Sequence, residues 1–207
     1  MASTGVRHAR TVLATGVALL VVLTGCRRGS EEPEVEPSGA APSFDPLAFD
    51  EPEMPVVDGH GERRADVEKA VQYFADAWTY GLRTGYSQPF NKVCSSTSKG
   101  CDEVRDELVA LSESGHHVEM DPVEAEVVRI SPLRQHHFPG TRLVATIAPV
   151  VVEVSLPERV ERDADNQEVG RDAAEERRIG LVFVSEPAYH GWVVYRWYDP
   201  ELAAEAA

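Results

Sequence analysis

Two periods of hydrophobic spacing divide the chain. Val67, Ala70, Val71, Phe74, Trp78 and Leu82 recur at i, i+4, i+7 and i+11, which places them on one stripe of a helix. Asp66 and Glu68 suit the start of that helix, where the backbone dipoles favour negative charge, and Gly85 suits its end. Ser87 ahead of Pro89 reads as the cap of a short second helical turn. Residues 102–114 repeat the helical pattern with Val104, Leu108 and Leu111, and Gly115 closes it. Beyond Gly115 the period falls to two, and strands are expected over 118–120, 125–130, 142–156, 178–185 and 191–198. In the third run Leu143, Ala145 and Ile147 alternate in one phase, and Val150, Val152, Val154 and Leu156 in the other. Pro149 stands at the switch. It cannot donate to a ladder, so a bulge and a bend are expected there. Helices first and a bent antiparallel sheet afterwards is an α+β pattern.

Upstream the pattern changes again. Residues 1–10 hold Arg7 and Arg10 and no acid, and residues 11–23 form a 13-residue run without charge. A membrane-spanning helix needs about 20 apolar residues, whereas runs of roughly 10–14 suit the core of a signal peptide. The run ends Leu23-Thr24-Gly25-Cys26, which resembles the bacterial lipobox. Small residues there admit the signal peptidase, and the thiol is free to take a diacylglyceryl group. The expectation is a cleaved peptide over 1–25 and a lipid-bearing Cys26, with membrane lipid as its first partner and the outer face of the cell membrane as its location. An ordinary secretory peptide with a chance cysteine is the plainer alternative.

Residues 27–60 contain six prolines and nine acids, too little apolar surface to offset the entropy of ordering. With Cys26 they are expected to form a tether over 26–60, of r.m.s. span roughly 30 Å. Phe44, Leu47 and Phe49 interrupt it as a candidate partner-binding segment. A single domain over 61–201 and a tail over 202–207 complete the division.

Charge narrows the classes of partner. The chain has 20 basic residues against 35 acidic ones, a net −15, and loss of residues 1–25 would leave 18 against 35, or −17. Nucleic-acid affinity comes mainly from Lys and Arg neutralising phosphates, so nucleic acid is not expected as a partner. Attraction to anionic lipid is not expected either, and the anchor must act through its acyl chains. Only 3 of the basic residues are lysines, a bias of high-GC bacterial genomes.

The order of elements resembles the cone-shaped fold of nuclear transport factor two, a cystatin-like arrangement with N-terminal helices in the concavity of a curved antiparallel sheet. More narrowly, the chain resembles an uncharacterised lipoprotein family of high-GC Gram-positive bacteria. The residues that carry the resemblance are the lipobox, the acidic Pro-rich tether, Trp78-Thr79-Tyr80-Gly81-Leu82-Arg83-Thr84-Gly85, the cysteines 94 and 101, and Trp192-Val193-Val194-Tyr195-Arg196-Trp197. The six residues between the cysteines exceed the usual spacing of that pattern. The resemblance implies a fold and a location and no activity.

Four groups of residues invite chemistry. Cys94 and Cys101 flank the polar run Ser-Ser-Thr-Ser-Lys-Gly. In an exported protein they read as a structural disulfide worth roughly 2–3 kcal/mol, against a redox or metal site, or free thiols. The pairs His116-His117 and His136-His137 cannot clamp one metal by themselves, because neighbours on a strand point to opposite faces. Solvated turn histidines are expected, and no metal. Asp163, Asp165 and Asn166 have a faint calcium-loop look, but Glu168 and Ala174 stand where such a loop needs Gly and Glu. Residues 157–178 read instead as a long solvated connection. Finally, Tyr73, Phe74, Trp78 and Leu82 in the first helix and Trp192 and Val194 in the last strand form either the core or the wall of a ligand pocket. Asp76 lies off that stripe, and no polar group on it asks for a substrate.

Three functions remain: a non-enzymatic envelope lipoprotein that binds another protein or a wall component, a small-molecule-binding protein, and an isomerase or hydratase with a buried acid in a pocket. The first is expected, with no catalytic residue and no cofactor.

Overall fold

The computed structural model describes residues 44–56, 63–96, 98–138, 140, 144–186 and 191–200. The expected signal peptide, Cys26, residues 27–43 and 57–60 of the expected tether, and the expected tail lie outside them. Helix α1 spans Arg64–Thr84, α2 Gln88–Val93 and α3 Lys99–Ser114. The whole apolar stripe of α1 is buried. Gly85 ends α1 with φ 74°, and Gly115 ends α3 with φ 70°, both in the left-handed region that favours glycine. Ser87 stands at the N-cap position of α2, but its side chain accepts from Asn91 Nδ2 rather than capping the helix.

The strands are β1 His117–Met120, β2 Glu124–Ile130, β3 Arg134–His137, β4 Val144–Leu156, β5 Arg159–Arg162, β6 Glu168–Asp172, β7 Glu175–Glu186 and β8 Gly191–Tyr198. They form an antiparallel five-stranded sheet in the order β2-β4-β7-β8, with β3 also on β4, and a three-stranded sheet β1-β5-β6. The fold is α+β.

The helices cover one face of the larger sheet. Their buried residues form one cluster with Ala148, Val150, Val152 and Val154 of β4, Ile179, Leu181 and Phe183 of β7, and Trp192 and Val194 of β8. Ala145, Ile147 and Val184 belong to a second cluster, together with Phe138 and Val182. The period of two puts that cluster on the opposite face. This corrects the expectation at Pro149. Its register with Val182 is unbroken, and the two phases of β4 reflect two apolar faces rather than a bulge. The Pro149 carbonyl accepts from Ser131 N at 2.8 Å. In an antiparallel strand a residue's nitrogen faces the same side as its carbonyl. The missing N–H therefore faces the gap where β2 gives way to β3. The bulges of this sheet lie elsewhere, at Val128 of β2 and Tyr195 of β8.

Residues 157–178 correct a second expectation, since most of them are strands. Their cohesion is electrostatic. Arg159 Nε meets Asp172 at 2.8 Å across the hairpin, and Arg171 pairs with Glu158 and Glu168. The hydrogen bond from Arg171 holds the Glu168 carboxyl below the usual range. At the turn, Asp163 Oδ1 accepts from Asp165 N and Gln167 N, at 3.0 and 2.8 Å, and Asn166 adopts φ 61°. The acidic run thus builds its own turn.

Candidate functional site

The six aromatic and aliphatic residues singled out in the sequence converge in the main core. Trp78 and Trp192 are each 1% exposed, and Phe74, Leu82 and Val194 are fully buried. Phe74 meets Trp78, Phe90 and Trp197 at centroid distances of 5.8, 5.7 and 5.7 Å. Tyr73 donates its hydroxyl to the Pro89 carbonyl at 3.3 Å. Burial and the nearby Glu51 charge push its phenol up to about 12. Cys94 and Cys101 form a disulfide with Cα atoms 5.8 Å apart. The disulfide ties the end of α2 to the first turn of α3. Beside it, Ser95 N donates to Val194 O at 2.9 Å, fixing the loop to β8.

Arg177 of this region was missed in the sequence, and Trp197, one of the aromatics of the last strand, reaches the core through a bulge that alternation does not announce. Tyr195 is the unpaired residue of the β8 bulge, so Trp197 returns to the helix-facing side beside Trp192 and Val194. Arg177 lies two and four residues before Ile179 and Leu181, hence on the same face of β7. Its guanidinium sits 5.1 Å from the Trp78 ring and 5.6 Å from the Trp197 ring, within cation–π range. The phase of β7 carried that signal, but Arg177 stands in the charged run Glu175–Arg178, which read as solvated loop. The expectation about polar groups also needs correction. The indole N–H groups of Trp78 and Trp192 and Arg177 Nε are buried without an acceptor.

The second site lies around β1, where the two histidines of the first pair part company. His116 Nδ1 lies 2.6 Å from Glu161 Oε1. Both line a cavity of about 310 Å³ with Glu107, Arg159 and Asp172. Arg159 is occupied there, bound to Glu107 at 2.6 Å and Asp172 at 2.8 Å. His117 is 2% exposed, not a solvated turn residue. The reason is residues 44–56, part of the expected tether, which lie against the domain. Phe44 stacks on the His117 ring at 3.6 Å, Phe49 lies 5.7 Å from the Arg83 guanidinium, and Met54 packs against the main core. The aromatic residues that interrupt the acidic run supply the apolar surface the rest of it lacks. Phe44, Phe49, Arg83, His117 and Asn166 share the wall of a cavity of about 430 Å³. His136 and His137 stand apart, on β3.

Among the described residues, no three His, Cys, Asp or Glu side chains converge as a metal-ligand set. No described helix is long and apolar enough to cross a membrane. No curated protein matches the chain. Among solved structures, the intermembrane space region of the chloroplast protein ARC6 aligns at 10% identity with a TM-score of 0.41. The alignment covers 66% of this chain and 95% of that one, a likeness too loose to fix a topology. Residues 52–178, more than half of the chain, match a family of unknown function, and the chain belongs to that family, DUF6318.

Proposed function

We propose that the chain is a lipoprotein held on the outer face of the cell membrane through Cys26, whose domain is a non-enzymatic interaction module for an envelope protein or wall component. The observation that carries the non-enzymatic part is the aromatic filling between helices and sheet. Trp78, Phe74, Phe90, Trp192 and Trp197 pack together between the helices and the sheet, which supports a filled core in place of a substrate pocket. In this reading the five-stranded sheet wraps around α1 as a cystatin-like cone, with the bulges at Val128 and Tyr195 supplying its bends. The disulfide supports an oxidising compartment. The lipobox supports the anchor. An isomerase or hydratase needs a free acid facing the core, and Asp66, the buried carboxylate of α1, is instead bound by Arg63 at 3.1 Å.

One observation favours small-molecule binding as a second reading: the Trp78 N–H and Arg177 Nε, whose guanidinium lies 5.1 Å from the Trp78 ring, are both buried without an acceptor. Intact-mass measurement of the mature protein and of Cys26→Ala tests the anchor. The wild type should lack residues 1–25 and carry acyl mass on Cys26, and the variant should lose both the lipid and partitioning into detergent. Unmodified Cys26 in the mature wild type would contradict the reading.

A further inference from the structure

Residues 44–56 are fixed to the domain at four points. Phe44 lies flat on His117 with 9° between the rings. Phe49 sits against Arg83, whose Nε and Nη2 both donate to Met120 O at 3.1 and 2.6 Å. Glu51 pairs with Lys92 at 2.9 Å, and Met54 packs against the main core. Between the first two anchors Leu47 is 82% exposed, so the segment is held by its aromatic rings and not embedded along its length.

The first anchor has an unmatched polar atom. His117 Nδ1 is buried with no hydrogen-bond partner, while the Asn166 side chain bonds to the same imidazole. An occluded polar atom of this kind is desolvated without compensation and weakens the closed arrangement. Protonation would make the penalty larger, because Nδ1–H⁺ would be a charged donor with no acceptor in reach. We infer that residues 44–56 are an acid-releasable strap, closed over the groove between α1 and β1 while His117 is neutral and opened when His117 takes a proton. Opening exposes His117 to water and uncovers the seats of Phe44 and Phe49.

The charges around His117 leave this direction intact. Glu119 on β1 and the Asn166 hydrogen bond favour the proton, whereas Arg162 on β5 and His116 oppose it. Glu119 is itself 2.7 Å from Arg162 Nε, which offsets its pull, although the Nε–H does not point along that line. Arg83 of α1, on the same cavity wall, adds a further positive charge. On the strap, Asp45 is engaged with Leu47 N at 2.9 Å. Burial therefore dominates and draws His117 below its ordinary value of 6.5. A group depressed in the closed state stabilises that state above its free value. The contribution is lost as pH falls through the closed-state value.

The test is NMR of the full mature chain between pH 7.5 and 5.0, a window above most carboxylate titrations. The ring-to-ring contact of Phe44 and His117 should vanish with the same midpoint as the His117 titration. In Phe44→Ala the His117 midpoint should rise toward 6.5, and in His117→Gln the strap should stay closed throughout. Persistence of the Phe44 contact through the His117 titration would overturn the proposal, as would release at the same pH in His117→Gln. Should that variant fail to fold, Phe44→Ala decides alone, and an unchanged midpoint there overturns the proposal.

Discussion

Trp197 shows how much a single backbone irregularity decides. Simple alternation from Trp192 and Val194 sends residue 197 to the far side of the sheet. The bulge at Tyr195 returns it to the helices, where its ring lies against Gly100 of α3. A Cβ added at Gly100 would come within 2.4 Å of the Trp197 ring. Gly100→Ala should therefore destabilise the domain by about 1–3 kcal/mol, the range for overpacking a well-filled site, and urea unfolding measures it. A parent-like midpoint would mean that Trp197 can move aside. Tyr73 offers a second check at this scale. Its phenol, pushed up to about 12, should stay protonated well above pH 10 in the folded chain. Because the neutral form is favoured on folding, stability should fall as pH rises beyond the ordinary tyrosine value. Ultraviolet titration follows both effects, and normal ionisation of Tyr73 near pH 10 in the folded protein would contradict its burial.

Elements that bury apolar surface were legible in the sequence, and elements held by charge were not. The stripe of α1, the Gly85 and Gly115 stops, and the long strands β4, β7 and β8 follow from hydrophobic period and left-handed caps. The β5–β6 hairpin has no apolar alternation to announce it, because cross-strand pairs such as Arg159–Asp172 replace packing. Its stability should accordingly fall with added salt, since exposed pairs are screened. Faster amide exchange in residues 159–172 at high salt, with β4 unchanged, is the expected result. Residues 44–56 were legible only in part: Phe44, Leu47 and Phe49 stood out as a candidate partner-binding segment, but not as one seated on the chain's own domain. Their prolines and acids read as tether, and only the helical and β1 surfaces reveal that Phe44 and Phe49 have seats. The staple between α2 and α3 was legible from Cys94 and Cys101 together with the expectation of export. Replacing both cysteines by serine should lower stability by about 2–3 kcal/mol in the chain-entropy account. Equal stability of the parent and the doubly substituted chain would show that the disulfide constrains little.

For the whole molecule, the proposal joins the acidic composition, the lipobox-like run ending at Cys26, the disulfide and the densely aromatic core, and reads them as presentation of a surface rather than chemistry. At net −15 an anionic membrane offers the protein no electrostatic attraction, so in the proposed reading retention rests on a lipid at Cys26. High salt should leave the protein in the membrane fraction, whereas detergent should release it. Release by salt alone would place the anchor in charge rather than acyl chains. The functional claim rests on the core, because a filled core has no room for a substrate and an open one does. Trp78, 1% exposed between Phe74, Phe90 and Trp197, is its centre. The most direct measurement is equilibrium unfolding of Trp78→Ala beside the parent chain. A filled core predicts a loss of about 3–5 kcal/mol, the usual cost of truncating a large buried aromatic. A variant as stable as its parent would show that Trp78 lines a cavity, and would contradict the account.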